Sequence, residues 1–289
     1  MIQRSRRRPR PRVPVLATIL LATLAAPLRA QAPAPVTNAG RLSFTGGVDV
    51  LSSYMFRGIR QDDRGVVAWP AADVGVVLFE GEGALKSLGL NVGLWNSLHS
   101  GPTGRDGPTG KIWYESDFYS SLTLAVRGGV RMGASYTAYL SPNNSFRTVK
   151  EVGFTLALDD SARPVPLSPY ALVAIEIEGQ ADGGAGSGTY LELGIKPGLS
   201  AGTRLAVSFP VKVGLSLNDY YEGPAGSSSF GYVETGAVAT VPLTFVAPGF
   251  GTWSVRGGVS VLGLGASLQS LNGGRRAKVV GLLGLGMSY

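Results

Sequence analysis

His99 is the single histidine of this sequence, with Ser97 two residues before it and Ser100 just after. With an acid, those are the residue types of a serine hydrolase. A lipid-acting site would want its histidine facing outward or at the membrane boundary, and His99 falls in the opposite, inward phase. There is no cysteine, which removes disulfides, cysteine-held zinc and thiol nucleophiles. One histidine gives no metal centre to expect, and no cofactor is implied. The expectation is a protein that is not an enzyme, with an outer-membrane hydrolase using His99 as a remote alternative.

Charge set at alternate positions is the more abundant chemistry. Asp49, Arg57, Asp73, Glu115, Asp117, Arg131, Glu151, Glu176, Glu192, Lys196, Arg204, Lys212, Glu234 and Arg256 lie opposite in phase to the apolar side chains around them, as do Trp95, Glu178 and Lys278. A period of two puts such residues on one face of β-strands. Acids dominate the second, fourth, sixth and seventh of the runs described next, and bases the ninth, eleventh and twelfth. That division would lay a transverse field across an enclosed lumen, selecting ions and dipolar solutes. The competing expectation is that opposite charges pair across the interior and close it. Trp69, Trp113, Tyr139 and Tyr190 share this face, either as a stacking platform for a sugar or nucleoside or as packing beneath folded loops.

Strands must carry these residues. Twelve period-two runs succeed one another, near 42–58, 65–79, 87–99, 111–126, 129–140, 147–159, 168–178, 188–199, 203–218, 230–245, 252–264 and 276–289. Connections after odd runs, such as GPTGRDGPTG, are generally long and polar; those after even runs, such as GLSAG, are generally short. In a soluble sandwich the polar face meets water and should be rich in Lys and Glu. Here it is Gly, Ser, Thr and Ala with charges among them, which suits a crowded, curved interior. The expected fold is an all-β, closed transmembrane antiparallel β-barrel of about 12 strands, with both termini on the short-turn, periplasmic side. Outward aromatics fall in two bands, Phe44, Phe245, Trp253 and Tyr289 at one end and Tyr54, Phe56, Tyr114 and Tyr136 at the other, as membrane girdles would.

The stretch MIQRSRRRPRPR, then VLATILLATLAA, then APLRAQA reads as a secretory signal peptide over 1–32, cleaved after Ala30 or Ala32. A short linker (33–40) and the barrel (41–289) follow. Seven of the 26 basic residues precede Ala30 and no acidic residue does, which leaves 19 basic against 19 acidic groups. The basic balance therefore belongs to the leader, and a nucleic-acid partner is not expected. At the other end, Leu283, Leu285 and Met287 lead at every second position to Tyr289, like the C-terminal signal that outer-membrane barrels present to the barrel-assembly machinery.

Residues 53–61, SYMFRGIRQ, with VGLWNSLHSG (92–101) and YESDFY (114–119), resemble the TorF-type porins, a proteobacterial outer-membrane family formerly of unknown function. Tyr54, Phe56, Arg57, Gly58 and Gln61 fit that family's first-hairpin pattern, while Ser53 and Arg60 depart from it. Gly93, Trp95 and Ser97, then Glu115, Asp117 and Tyr119, carry the rest. The likeness covers roughly residues 42–120 and implies a barrel in the outer membrane of a Gram-negative bacterium. The function expected is passive diffusion of small hydrophilic solutes through a charge-lined lumen, in contact with outer-membrane lipid. The alternative is a closed-lumen structural or adhesive barrel that acts through its loops.

Overall fold

The structure, a computed structural model, describes residues 40–223 and 226–289. The expected signal peptide lies outside the described residues, as does the expected linker but for Gly40.

Twelve strands form a ring: β1 (Leu42–Leu51), β2 (Val67–Glu80), β3 (Leu85–His99), β4 (Trp113–Val126), β5 (Val130–Leu140), β6 (Val149–Leu158), β7 (Tyr170–Glu178), β8 (Thr189–Ile195), β9 (Val211–Asn218), β10 (Phe230–Pro242), β11 (Thr252–Leu264) and β12 (Ala277–Ser288). Each pairs antiparallel with its chain neighbours, and β12 returns to β1 from Thr45↔Ser288 to Leu51↔Leu282. Phe44 and Tyr289 extend this seam by exchanging backbone N–H···O bonds of 2.8 Å in both directions. Closure leaves the ring without a free edge, which a sheet in hydrocarbon requires. Proline has no N–H to give to a ladder, and Pro197 and Pro210 interrupt one hairpin of the ring. Beyond them Gly198–Ala201 pairs with Leu205–Ser208, and Leu205–Ser208 continues the line of β9 along β10.

Alternation sorts the two faces. Leu42, Val74, Leu94, Leu122, Met132, Phe154, Leu193, Val233, Val259 and Leu283 are all exposed on the outside. An apolar outer surface of that extent belongs to a transmembrane barrel, not to one bathed in water. The connections differ at the two ends. At the end holding Gly40 and Tyr289 they cover 81–84, 127–129, 159–169, 202–204 and 243–251. At the other, 52–66, 100–112, 141–148, 179–188, 219–229 and 265–276 include a helix, α1 (Ala266–Leu271).

Three departures from strict alternation correct the sequence reading. First, β1 ends at Leu51, where its last wall pair is Leu51↔Val67, and does not run to residue 58. The chain then turns inward as a small hairpin, Tyr54–Phe56 against Ile59–Asp62. Its tip is Arg57 at φ 47° and Gly58 at φ 81°, the pair of left-handed residues that the tightest hairpins use. Tyr54 and Phe56 are thus inside the barrel, not in a girdle. Second, a bulge at Ser97/Leu98 of β3 opposite Trp113–Glu115 inserts one residue and swaps two faces. Trp113 turns outward, its Nε1–H donating to Asn96 Oδ1, while Tyr114 turns in and is buried. Third, a bulge at Lys150/Glu151 sends Glu178 out to an exposed ion pair with Lys150.

Tyr136 keeps the phase of the exposed Met132 and Leu140, and Phe44, Phe245 and Tyr289 are exposed at the terminus end. Trp253 lies one strand over, paired with Met287 and donating from Nε1 to Phe250 O.

Candidate functional site

The inward hairpin organises the interior. Arg57 projects from its tip to the far wall, where Nη1 and Nη2 meet Glu151 Oε1 and Oε2 of β6 at 2.5 and 2.9 Å. Nη1 also donates to Tyr220 Oη at 2.7 Å, and the guanidinium lies 4.4 Å from the Tyr190 ring centroid. Tyr139 Oη donates to Glu151 Oε2 at 2.8 Å. The backbone of the tip is held as well. Tyr221 Oη donates to Arg57 O, Asn272 Nδ2 to Gly58 O, and Arg60 N–H to Asn272 Oδ1. The fit is close, since a β-carbon at Gly58 would lie 2.6 Å from Leu268 Cδ1 of α1.

The hairpin's near leg is packed on β2 and β3. The Tyr54 ring centroid is 5.1 Å from Trp69 and 5.7 Å from Trp95. Its far leg ends in Asp62, which joins a chain of short bonds. Ser97 Oγ and His99 Nε2 are 2.7 Å apart, His99 Nδ1 and Thr103 Oγ1 2.6 Å, and Thr103 Oγ1 donates to Asp62 Oδ2 at 2.6 Å. Ser, His and Asp are therefore aligned, but Ser97, His99 and Asp62 are 0%, 1% and 4% exposed, and Trp69 Nε1–H occupies the serine oxygen. No carbonyl can approach, so the arrangement anchors the hairpin instead. His99→Ala is expected to lower barrel stability by about 1–3 kcal/mol in denaturant titrations, because it strands buried partners at both ring nitrogens. A variant as stable as the parent would show these bonds to be idle.

Most lumen charges are neutralised locally. Arg256 pairs with Asp49 at 2.5 Å, and Lys212 lies 3.2 Å from Glu234 and 3.8 Å from Glu192. Glu192 also accepts bonds from Tyr170, Tyr190 and Tyr232. Asp73 accepts from Thr45, Asn91 and Tyr119, and Glu176 from the backbone N–H groups of Ala181 and Gly188. Beside the hairpin, Asp63 meets Arg60, Arg275 and Lys278. Burial pulls the Asp63 carboxyl up, but Lys278, Arg60 and Arg275 outweigh it and hold the group below the usual carboxylate range.

Of the expected lumen bases, Arg131 keeps the inward phase of Gly133, Thr137 and Tyr139, while Arg204 and Lys196 fall outside the strands of the ring. Arg131 sits at a strand end and pairs with Asp159 of the 159–169 connection at 2.6 Å. Arg204 is exposed in the turn after Ala201, and Lys196 is exposed in the break before Gly198. A two-residue period does not see where a strand stops, and both turns and proline breaks preserve its phase by accident.

Two cavities flank the hairpin. The larger, about 860 Å³, opens at the loop end between Phe56, Arg60 and Gln61 of the hairpin and Tyr114, Glu115 and Tyr139 of the wall. The smaller, about 400 Å³, lies toward the terminus end between Asp49, Trp69, Asp73, Trp95 and Arg256. Tyr54, Trp69 and Trp95 stand between them. Trp69, Trp95 and Tyr190 thus pack against the hairpin, while Tyr139 lines the outer cavity beside Phe56 and Tyr114. Tyr220, Tyr221 and Asn272 are buried ties that alternation could not reveal, because they sit in connections. The doublet in DYYEG, two large aromatics in a polar loop, was their only sign.

No family model matches this chain, and no curated protein matches it. Among solved structures it is similar to the NanC porin, at 11% identity and a TM-score of 0.43 over 85% of this chain and 98% of that one. An outer-membrane channel from Pseudomonas putida F1 matches at 10% identity and 0.44, over 90% and 100%. Outer membrane phospholipase A from Escherichia coli matches at 14% and 0.41, over 84% and 91%. Resemblance this distant says nothing of what the chain carries; the closure of the ring and its apolar exterior stand on their own geometry.

Proposed function

We propose that this protein is an outer-membrane porin in which an inward hairpin narrows the route of small hydrophilic solutes. The observation that carries this reading is the pair of open cavities, one on each side of the hairpin and each bordered by charged side chains, inside a barrel whose outer face is apolar. Solutes would move down their gradient along the wall of β4, β5 and β6, past Arg57 and Glu151, with neither cofactor nor energy source. On this reading the chain is exported by its signal peptide and inserted through its C-terminal strand, and the short-turn end lies in the periplasm. The likeness to the TorF-type porins supports it, because the matching residues Tyr54, Phe56, Arg57, Gly58 and Gln61 are those that build the hairpin.

A second reading, a closed barrel acting through its loops, draws on the number of ties that fix the hairpin tip. Planar-bilayer recording of the purified protein separates the two. Discrete, reproducible current steps are expected; a folded but silent barrel would reject the porin and leave the closed form. The buried Ser97–His99 pair offers a hydrolase no substrate access.

A further inference from the structure

Glu115 and Asp117 are two residues apart on the inner face of β4, and neither takes part in an ion pair with Lys, Arg or His among the described residues. They are 4% and 6% exposed. The Tyr54 hydroxyl hydrogen-bonds Glu115, and the Glu115 and Asp117 carboxyls hydrogen-bond each other, yet Asp117 Oδ1 is buried without a hydrogen-bond donor. A buried carboxylate oxygen without a donor is costly and calls for something to satisfy it. The nearby base, Arg57, is already committed to Glu151 in a bidentate pair.

The two carboxylates also occupy the step between the cavities. Glu115 lines the outer one. Asp117 is opposite Trp95 on one side and Tyr139 on the other, and Trp95 lines the inner cavity. Two residues of a strand advance about 7 Å, so the pair forms consecutive rungs of a path from one cavity to the other. The described residues hold no group of three or more metal-ligating side chains, which argues against a divalent-ion cage. Two carboxylates bordered by the rings of Tyr54, Phe56 and Trp95 suit a singly charged cation in passage.

We infer that Glu115 and Asp117 form a monovalent-cation site between the two cavities of the lumen, which makes the barrel prefer cations to anions. This rests on the porin reading. The test is the reversal potential of the full-length protein in planar bilayers under a KCl gradient. The parent is expected to favour K⁺ over Cl⁻, and Asp117→Asn and Glu115→Gln each to reduce that ratio, together by roughly tenfold, since a carboxylate at contact distance outweighs screening. Both substitutions keep side-chain size, and heat-modifiable gel migration verifies that the barrel forms. Conductance without preference for K⁺, as expected of a pair that merely shares a proton, overturns the inference and leaves the porin. So does a preference that survives both substitutions. A folded parent that conducts nothing overturns the porin and the cation site together.

Discussion

Arg57→Ala is expected to destabilise the folded barrel by about 3–5 kcal/mol, the cost of removing one partner from a buried ion pair. The side chains of Arg57 and Glu151 are 12% and 3% exposed. Without the guanidinium, Glu151 keeps only the Tyr139 hydroxyl to offset a buried negative charge, and the Tyr190 and Tyr220 rings lose the cation against them. Arg57→Lys should recover little, because an ammonium cannot meet both carboxylate oxygens and Tyr220 in one plane. Arg57→Ala combined with Glu151→Ala should recover part of the loss by removing the stranded charge. Denaturant titration of the detergent-folded protein, followed by tryptophan fluorescence, reads all three, since Trp69 and Trp95 pack on the hairpin. A loss below about 1 kcal/mol would mean that water reaches Glu151 and that the pair behaves like a surface bridge.

Excising the hairpin should have the larger effect on transport. Replacing residues 53–62 with a short Gly–Ser linker leaves the wall intact, because β1 and β2 are already paired as far as Leu51↔Val67. It removes Tyr54, Phe56 and Arg57 from between the two cavities and joins them. Single-channel conductance is expected to rise several-fold over the parent, and ion selectivity to weaken as the route widens. A porin conducts before and after the excision; a closed barrel conducts only after it. Unchanged current would show that solutes take another route and that the hairpin is only a structural brace.

The placement of Trp113 and Tyr114 shows why the strand pattern was legible and the interior was not. Contact with lipid is a local property. Each outward side chain must suit lipid whatever stands across the barrel, so alternation marks the wall of every strand, and each of the twelve expected runs overlaps one strand of the ring, though not always with its ends. A bulge adds one residue to a strand and reverses parity from that point on, and nothing in ESDFY or WNSLH announces it. The same holds for Glu178 after the bulge beside Glu151.

The hairpin is the larger case. Val50, Ser52, Tyr54 and Phe56 continue the alternation of β1 without a break, so period two alone runs the strand straight through the point where the chain leaves the wall. The charges carry a similar lesson. Composition sorted acids and bases onto different strands and suggested a separated field, but Arg57 finds Glu151 across 94 residues and Arg256 finds Asp49 across 207. From the sequence alone came the all-β class, the strand count and the face that meets lipid, because solvent contact acts residue by residue. Only the closed tertiary structure decided which chain segment fills the lumen and which charges stay unpaired, because those depend on what closure brings to the opposite wall.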